Sequence, residues 1–354
     1  MKGNEAIAEA AIRYGVDGYF GYPITPQSEI METLMDEKPW ETTGMVVLQA
    51  ESEVASINML YGGAGCGKRV MTSSSSPGIS LMQEGLSYIA GAELPCLVVN
   101  VVRGGPGLGT IQPAQSDYFQ AVKGGGHGDY KLIVLAPASV QEMADFVELG
   151  FELAFKYRNP AMILSDGVIG QMMEKVVLKN HHKRLTNEEI AQKYPWATLG
   201  KPKTRERNII TSLCIESTEQ EEHNMRLQAK YREIEKHEVR YENFQTEDAE
   251  YLLVAYGVSS RICQKAVEVA RENGLKVGLL RPITLYPFPY MPIQKLAPQL
   301  KGIISVEMSA GQMVEDVKLA ANGVTPVFHF GRLGGIIASP DEVVKAIEQL
   351  LVKR

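Results

Sequence analysis

Four stretches of this 354-residue sequence carry side chains whose types and spacing suit chemistry as well as packing. The first, "YGGAGCGKRV" at 61–70, contains Gly62-x-x-x-x-Gly67-Lys68, most of a phosphate-binding loop. That pattern ends in Ser or Thr, whose hydroxyl ligates Mg²⁺, and Arg69 stands there instead. Such a loop also follows a strand and opens a helix, so that backbone N–H groups face the phosphates. Here the order is reversed. Val54, Ile57, Leu60 and Tyr61 upstream have helical spacing, and "RVMTSSSS" downstream leans to strand. The glycines read as a tight helix-to-strand turn with Lys68 and Arg69 in solvent, which disfavours a nucleotide site.

The other three stretches follow strands, and ligands of open α/β sheets bind beyond the carboxyl ends of strands. In "QAESEVAS", Glu51 and Glu53 lie where a strand gives way to a helix, with Ser52 an N-cap. Acids there suit the helix dipole. One of them could equally lie buried beneath a ligand and hydrogen-bond a ring nitrogen, and spacing leaves both readings open. In "YPITPQSE", Thr25 before Pro26 reads as an N-cap, or as a hydroxyl facing a substrate carboxylate. In "VVRGGPGLGTIQPAQSD", Arg103 ends an apolar strand ahead of a glycine-rich turn. Arginine is the preferred bidentate partner of a carboxylate, and a charge after so apolar a strand is harder to dismiss as a surface residue.

Residues 1–180 alternate helix and buried strand, with strands at "GYFGYP", "MVVLQA", "RVMTSSS", "PCLVVNVV", "DYKLIVLAP" and "PAMILSD". That alternation predicts a mostly parallel sheet covered on both faces. Residues 181–247 turn charged and read as a helical connector, its second half ("ESTEQ" to "YENF") as one long wet helix. From 248 to 354 the α/β pattern returns as a compact second domain.

Composition narrows the function. The chain is 45% hydrophobic and 22% charged with net charge −6, so nothing marks it for nucleic acid or an anionic membrane surface. Its longest apolar runs have strand length, far short of a membrane span, and the N-terminus lacks a signal peptide's apolar core. The four cysteines, Cys66, Cys96, Cys214 and Cys263, are scattered as reduced thiols of a cytoplasmic protein would be, too far apart to hold an iron–sulfur cluster. The six histidines include the pair His181/His182 but no ligand spacing, and no metal site is read.

Taken together, "GYPITPQSEI", "QAESEVASINMLYGGAG", "TSSSSPGISLMQE" and "RGGPGLGTIQPAQSD" resemble the alpha-type subunits of 2-oxoacid:ferredoxin oxidoreductases. Within that family they look most like the branched-chain, 3-methyl-2-oxobutanoate (2-oxoisovalerate) type. The resemblance spans the whole chain. It implies an α/β fold: residues 1–180 as a thiamine-diphosphate pyrimidine-binding domain, and 248–354, with "LLRPITLYPFP" and "VEMSAGQM", as a transketolase C-terminal-like domain. Position by position, Glu53 matches the glutamate that contacts the cofactor's pyrimidine N1′. Thr25 matches a substrate-contacting threonine, and Arg103 the arginine that binds the 2-oxoacid carboxylate. Glu51 has no such role and stays a helix-start residue.

The implied reaction is oxidative decarboxylation of a 2-oxoacid with CoA as co-substrate, giving acyl-CoA, CO₂ and reduced ferredoxin. A carboxylate on N1′ favours the imino tautomer of the aminopyrimidine, and the hard chemistry is the cofactor's. The Mg²⁺-diphosphate motif of such enzymes is missing. Asp166-Gly167 begins a mimic, but Asn180 lies at about half the usual distance, so Asp166 reads as a strand end. The chain therefore resembles half an active site. Its implied partners are a beta-type subunit for thiamine diphosphate and Mg²⁺, gamma-type and ferredoxin-like delta-type subunits carrying iron–sulfur clusters, ferredoxin, and a further copy of itself. The alternatives are a 2-oxoglutarate:ferredoxin oxidoreductase alpha subunit, a non-catalytic assembly subunit, and a nucleotide-binding acyl-transfer protein. Gly107-Leu108, where the 2-oxoglutarate type often has Ser-Thr, leans toward an aliphatic substrate.

Overall fold

The six apolar runs of the first 180 residues become the parallel strands β1 (Gly18–Gly21), β2 (Val46–Gln49), β3 (Val70–Ser74), β4 (Leu97–Val102), β5 (Ile133–Leu135) and β6 (Ala161–Asp166). Beyond them come β7 (Tyr241–Phe244), β8 (Tyr251–Val254), β9 (Val277–Pro282), β10 (Thr284–Tyr286), β11 (Gly302–Glu307) and β12 (Val327–Gly331). The computed structural model describes residues 1–201, 203 and 205–352. Two sheets result, ordered β10-β5-β6-β4-β3-β1-β2 and β12-β11-β8-β9-β7.

Buried strands of a parallel sheet need apolar side chains on both faces, and every residue of β3, β4 and β6 is buried. The helices Gly3–Tyr14, Glu53–Gly65, Ser76–Gly91 and Val140–Tyr157 cover the first sheet, Ile7, Ile57, Leu86 and Val147 being fully or almost fully enclosed. At the far edge β2 leaves Val46 and Leu48 exposed. Among the described residues no helix is long and apolar enough to cross a membrane.

Several sequence expectations change on folding. The glycine run at 62–65 is no loop: the helix Glu53–Gly65 carries through it and is capped at Cys66. Lys68 and Arg69 are half-buried, not solvated; Lys68 Nζ donates to Asn187 (2.8 Å) and the Arg69 guanidinium lies 4.5 Å from the Tyr14 ring centre. The N–H groups a phosphate would need are spent inside a helix. Val54, placed by spacing on the buried side, points outward.

Thr25 is not an N-cap. The next helix starts at Ser28, because the Pro26 carbonyl already accepts from Asn4 and Gln171. The long connector helix ends at His237, where buried Glu238 takes Lys156, Tyr157 and Arg240. Its expected continuation is β7, paired antiparallel with β9. The second sheet thus begins before residue 248. β10 leaves its own domain's sheet and pairs antiparallel with β5 of the first.

Asp166 ties the halves together. Its Oδ1 caps Val168 and Ile169 (3.1 Å each), and its Oδ2 accepts from Val258 N (2.9 Å) at the start of the second domain's helix Gly257–Glu272. Burial pushes this carboxyl up, against the lowering effect of those N–H donors. Asp166→Ala strands two buried donors and one half-buried one, so the unfolding free energy should fall by about 3 kcal/mol in a denaturant titration, with Asp166→Asn losing less. A fall below about 1 kcal/mol would show the junction to be held elsewhere.

Candidate active site

The carboxyl ends of β1, β3 and β4 and the N-terminus of the helix Ser76–Gly91 converge on one place. Glu53 reaches it from the first turn of its helix, where Ser52 is the N-cap, accepting from Ala55 N at 3.2 Å. Glu51 stays exposed and only receives the Ser52 hydroxyl. Glu53 is 6% exposed, yet its carboxylate has no hydrogen-bond or ion-pair partner among the described residues. Around it, the Thr72, Ser74 and Ser75 hydroxyls are also buried and unpartnered. Gly78 makes the room: a Cβ there would lie 2.6 Å from Glu53 Oε1 and collide with Ser74 Oγ. A buried carboxylate without a donor is costly. A cradle of that kind fits a planar group that brings its own N–H.

Arg103 enters from the end of β4. The residue is 8% exposed, and its guanidinium is held by carbonyls alone among the described residues, Nη1 to Thr25 O (2.9 Å) and Nη2 to Leu108 O (3.3 Å). Its Nε is buried without a partner, and no carboxylate pairs with it among the described residues. A desolvated, unpaired guanidinium is a standing demand for an anion. Thr25 sits beside it, exposed, its hydroxyl without a hydrogen bond among the described residues.

Ser76 couples the two sides. Its hydroxyl bridges Arg103 N and O at 3.1 Å each, two residues before the glycine that cradles Glu53. Asn100 Oδ1 caps Ser76 N (3.2 Å) while its Nδ2 donates to Asp117 (3.0 Å), a carboxyl that burial pushes up. The structure thus brings Glu53, Thr25 and Arg103 to one helix terminus. Gly78, Ser76, Asn100 and the Leu108 carbonyl went unread in the sequence; the run "SSSSPG" was the only local signal. Lys68, Asp166 and Asn180 take no part, and no cluster of three or more His, Cys, Asp or Glu able to hold a metal occurs among the described residues.

The chain is similar to known proteins over nearly its whole length. The family model described as pyruvate flavodoxin/ferredoxin oxidoreductase, thiamine diP-bdg, covers residues 9–243, and that of pyruvate:ferredoxin oxidoreductase core domain II covers 249–343. Ketoisovalerate oxidoreductase subunit VorB of Methanothermobacter marburgensis is 50% identical over 353 residues, 99% of this chain and 97% of that protein. The 2-oxoglutarate synthase subunit KorA of Methanocaldococcus jannaschii is 36% identical over 363 residues, 98% of each chain. A structure of 2-oxoglutarate:ferredoxin oxidoreductase from Magnetococcus marinus with 2-oxoglutarate, coenzyme A and succinyl-CoA bound superposes with TM-score 0.82 at 27% identity, over 99% of this chain and 65% of that one. A split-gene transketolase, at 13% identity and TM-score 0.62, shares the fold. The two family models and these relatives converge: the chain belongs to the thiamine-diphosphate-binding 2-oxoacid:ferredoxin oxidoreductase family, as an alpha-type subunit.

Proposed function

We propose that this chain is the pyrimidine-holding half of an oxidoreductase that decarboxylates 3-methyl-2-oxobutanoate, passing the acyl group to CoA and electrons to ferredoxin. The observation that carries the reading is the buried Glu53 carboxylate without a protein partner, seated over Gly78. An aminopyrimidine N1′ fits it, because a protonated ring nitrogen is the donor that this carboxylate lacks. When bound, thiamine diphosphate supplies the carbanion and the electron sink. Glu53 holds the proton at N1′, in a setting where low local polarity strengthens the bond. Arg103 binds the 2-oxoacid carboxylate through the Nη hydrogens that Thr25 O and Leu108 O leave unused, those two carbonyls setting the plane of its fork. Thr25 adds its hydroxyl at the same end. Leu108 and Ile111, exposed on the loop that holds Arg103, give the mouth an apolar rim suited to a branched aliphatic substrate.

The Mg²⁺-diphosphate site belongs to a beta-type partner, and the iron–sulfur clusters to a ferredoxin-like, delta-type subunit, with a gamma-type subunit completing the complex. Exposed Val54, Met59 and Leu81, on the helices that carry Glu53 and Gly78, with Val46 and Leu48 on the edge strand β2, support a partner subunit. The four unpaired thiols support a cytoplasmic setting.

The test is to isolate the complex through a tag on this chain without oxygen and follow CoA-dependent viologen reduction. The 2-oxoacids compared are 3-methyl-2-oxobutanoate, pyruvate and 2-oxoglutarate. The branched acid is expected to give the highest kcat/KM, by about tenfold or more if one or two methylenes decide the fit. A preference for 2-oxoglutarate would move the chain to the other branch of its relatives. Inactivity with all three, in a complex shown to hold thiamine diphosphate, would overturn the reading.

A further inference from the structure

The second domain gives no side chain to the chemistry proposed above, yet it grips the loop that holds Arg103 from two sides. On one side is Gln115, 1% exposed. Its Nε2 donates to Tyr256 O (2.9 Å), and its Oε1 accepts from Ser259 Oγ (2.8 Å) and Met308 N (3.1 Å). Its backbone N–H donates to Met308 O (2.9 Å) and its carbonyl accepts from the Tyr256 hydroxyl (3.1 Å). Gln312, next in line, donates to Ser116 O and accepts from Phe119 N, both at 2.8 Å.

The other grip is the close approach of the Gly334–Gly335 backbone to the loop. Gly335, at φ +93°, lies so close that a Cβ there would overlap Gln112 Cβ and come within 3.3 Å of Thr110 Cγ2. A Cβ on Gly104 would lie 3.4 Å from both Gly334 C and Gly335 N. The pressed loop is a closed ring: Gly104 N donates to Gln112 O (2.9 Å) and Thr110 N to Gly104 O (2.8 Å). Leu108, whose carbonyl holds Arg103 Nη2, is at its tip.

We infer that the second domain is the positioning element for substrate binding, with Gly335 and Gln115 as the positioning residues; this rests on the assignment of Arg103 to the substrate carboxylate. A methyl group at 335 pushes residues 110–112, and the ring pairing carries the push to Leu108. Arg103 then keeps Thr25 O alone and its fork turns away from the anion. Sub-ångström misplacement of a binding group is enough to be read in kinetics.

The experiment compares Gly335→Ala, Ser259→Ala, Gly323→Ala and Arg103→Lys in the assembled complex. It measures KM for the 2-oxoacid, KM for CoA, kcat, thiamine diphosphate content and Tm. Gly323 is the control for backbone strain: φ is +74° and nothing lies within 4 Å of a Cβ there. Gly335→Ala should raise KM for the 2-oxoacid about tenfold with KM for CoA and cofactor content unchanged. Ser259→Ala, which removes one bond to Gln115, should raise it about threefold, and Gly323→Ala should lower Tm without moving KM. If Arg103→Lys raises KM while Gly335→Ala matches Gly323→Ala, the positioning inference is wrong and the site assignment stands. If Arg103→Lys leaves KM unmoved, the site assignment itself fails. Should Gly335→Ala not assemble, Ser259→Ala decides, and an unchanged KM overturns the inference.

Discussion

Glu53→Gln should leave an assembled complex that binds its 2-oxoacid and hardly turns over, with kcat lower by about 10²–10⁴-fold. Glutamine keeps the shape over Gly78 and removes the charge that holds a proton on a ring nitrogen. Folding should not suffer. The carboxylate makes no protein bond to lose. The decisive signature is the split: Tm equal to or above wild type, KM within a few-fold, kcat collapsed. A residue that only suits the helix dipole would show the reverse, since such an acid contributes about 0.3–1 kcal/mol of stability and nothing to rate. Steady-state viologen reduction beside a thermal melt of the same preparation separates the two. Near-normal kcat would return Glu53 to the ordinary acids of a first helical turn and would favour a non-catalytic assembly role for the chain.

Arg103→Ala carries the second large effect, and in the other kinetic parameter. Removing the fork should raise KM for the 2-oxoacid by about 10²-fold, within the 2–5 kcal/mol of a truncated, desolvated charge contact. The KM for CoA is expected to stay where it is. Stability points the same way as at Glu53. The guanidinium's bonds to Thr25 O and Leu108 O are lost, but so is a desolvated charge without a counter-ion. Residues kept against stability in this way are the mark of a binding site. A large drop in Tm with unchanged KM would instead make Arg103 a strut between two loops.

Much of this was legible before folding. Six parallel strands followed from buried apolar runs alternating with helical spacing, because that pattern leaves the chain little choice of class. Glu53, Thr25 and Arg103 stood in three separate loops, and all three lie where strand ends and a helix terminus meet. What could not be read was long-range. Nothing near Thr25 shows that the Pro26 carbonyl is already taken by Asn4 and Gln171, which moves the helix start to Ser28. Nothing in "YGGAGCG" shows that a helix will run through its glycines, since glycine's helix cost of about 1 kcal/mol is outweighed by packing such as that of Gly63 on Val70. The cap of the helix Ser76–Gly91 comes from Asn100, a strand residue 24 positions away, where no capping pattern would look. Leu108 was read for its side chain, whereas its carbonyl is what touches Arg103.

The short strand β10 has a bearing on how this molecule comes into being. Ala136 N–H donates to Ile283 O (2.8 Å), and Thr284 and Tyr286 close the open edge of β5. During synthesis the first sheet emerges with that edge bare and stays so until nearly 150 further residues have left the ribosome (Leu135 to Thr284). An uncovered apolar edge strand recruits whatever strand it meets. The natural cut between the two family regions, near residue 245, therefore makes a poor place to divide a gene or an expression vector. Amide exchange at Leu135 and Ala136 belongs to the same cooperative unit as the second half of the chain, and its protection reports when translation has carried β10 past the ribosome.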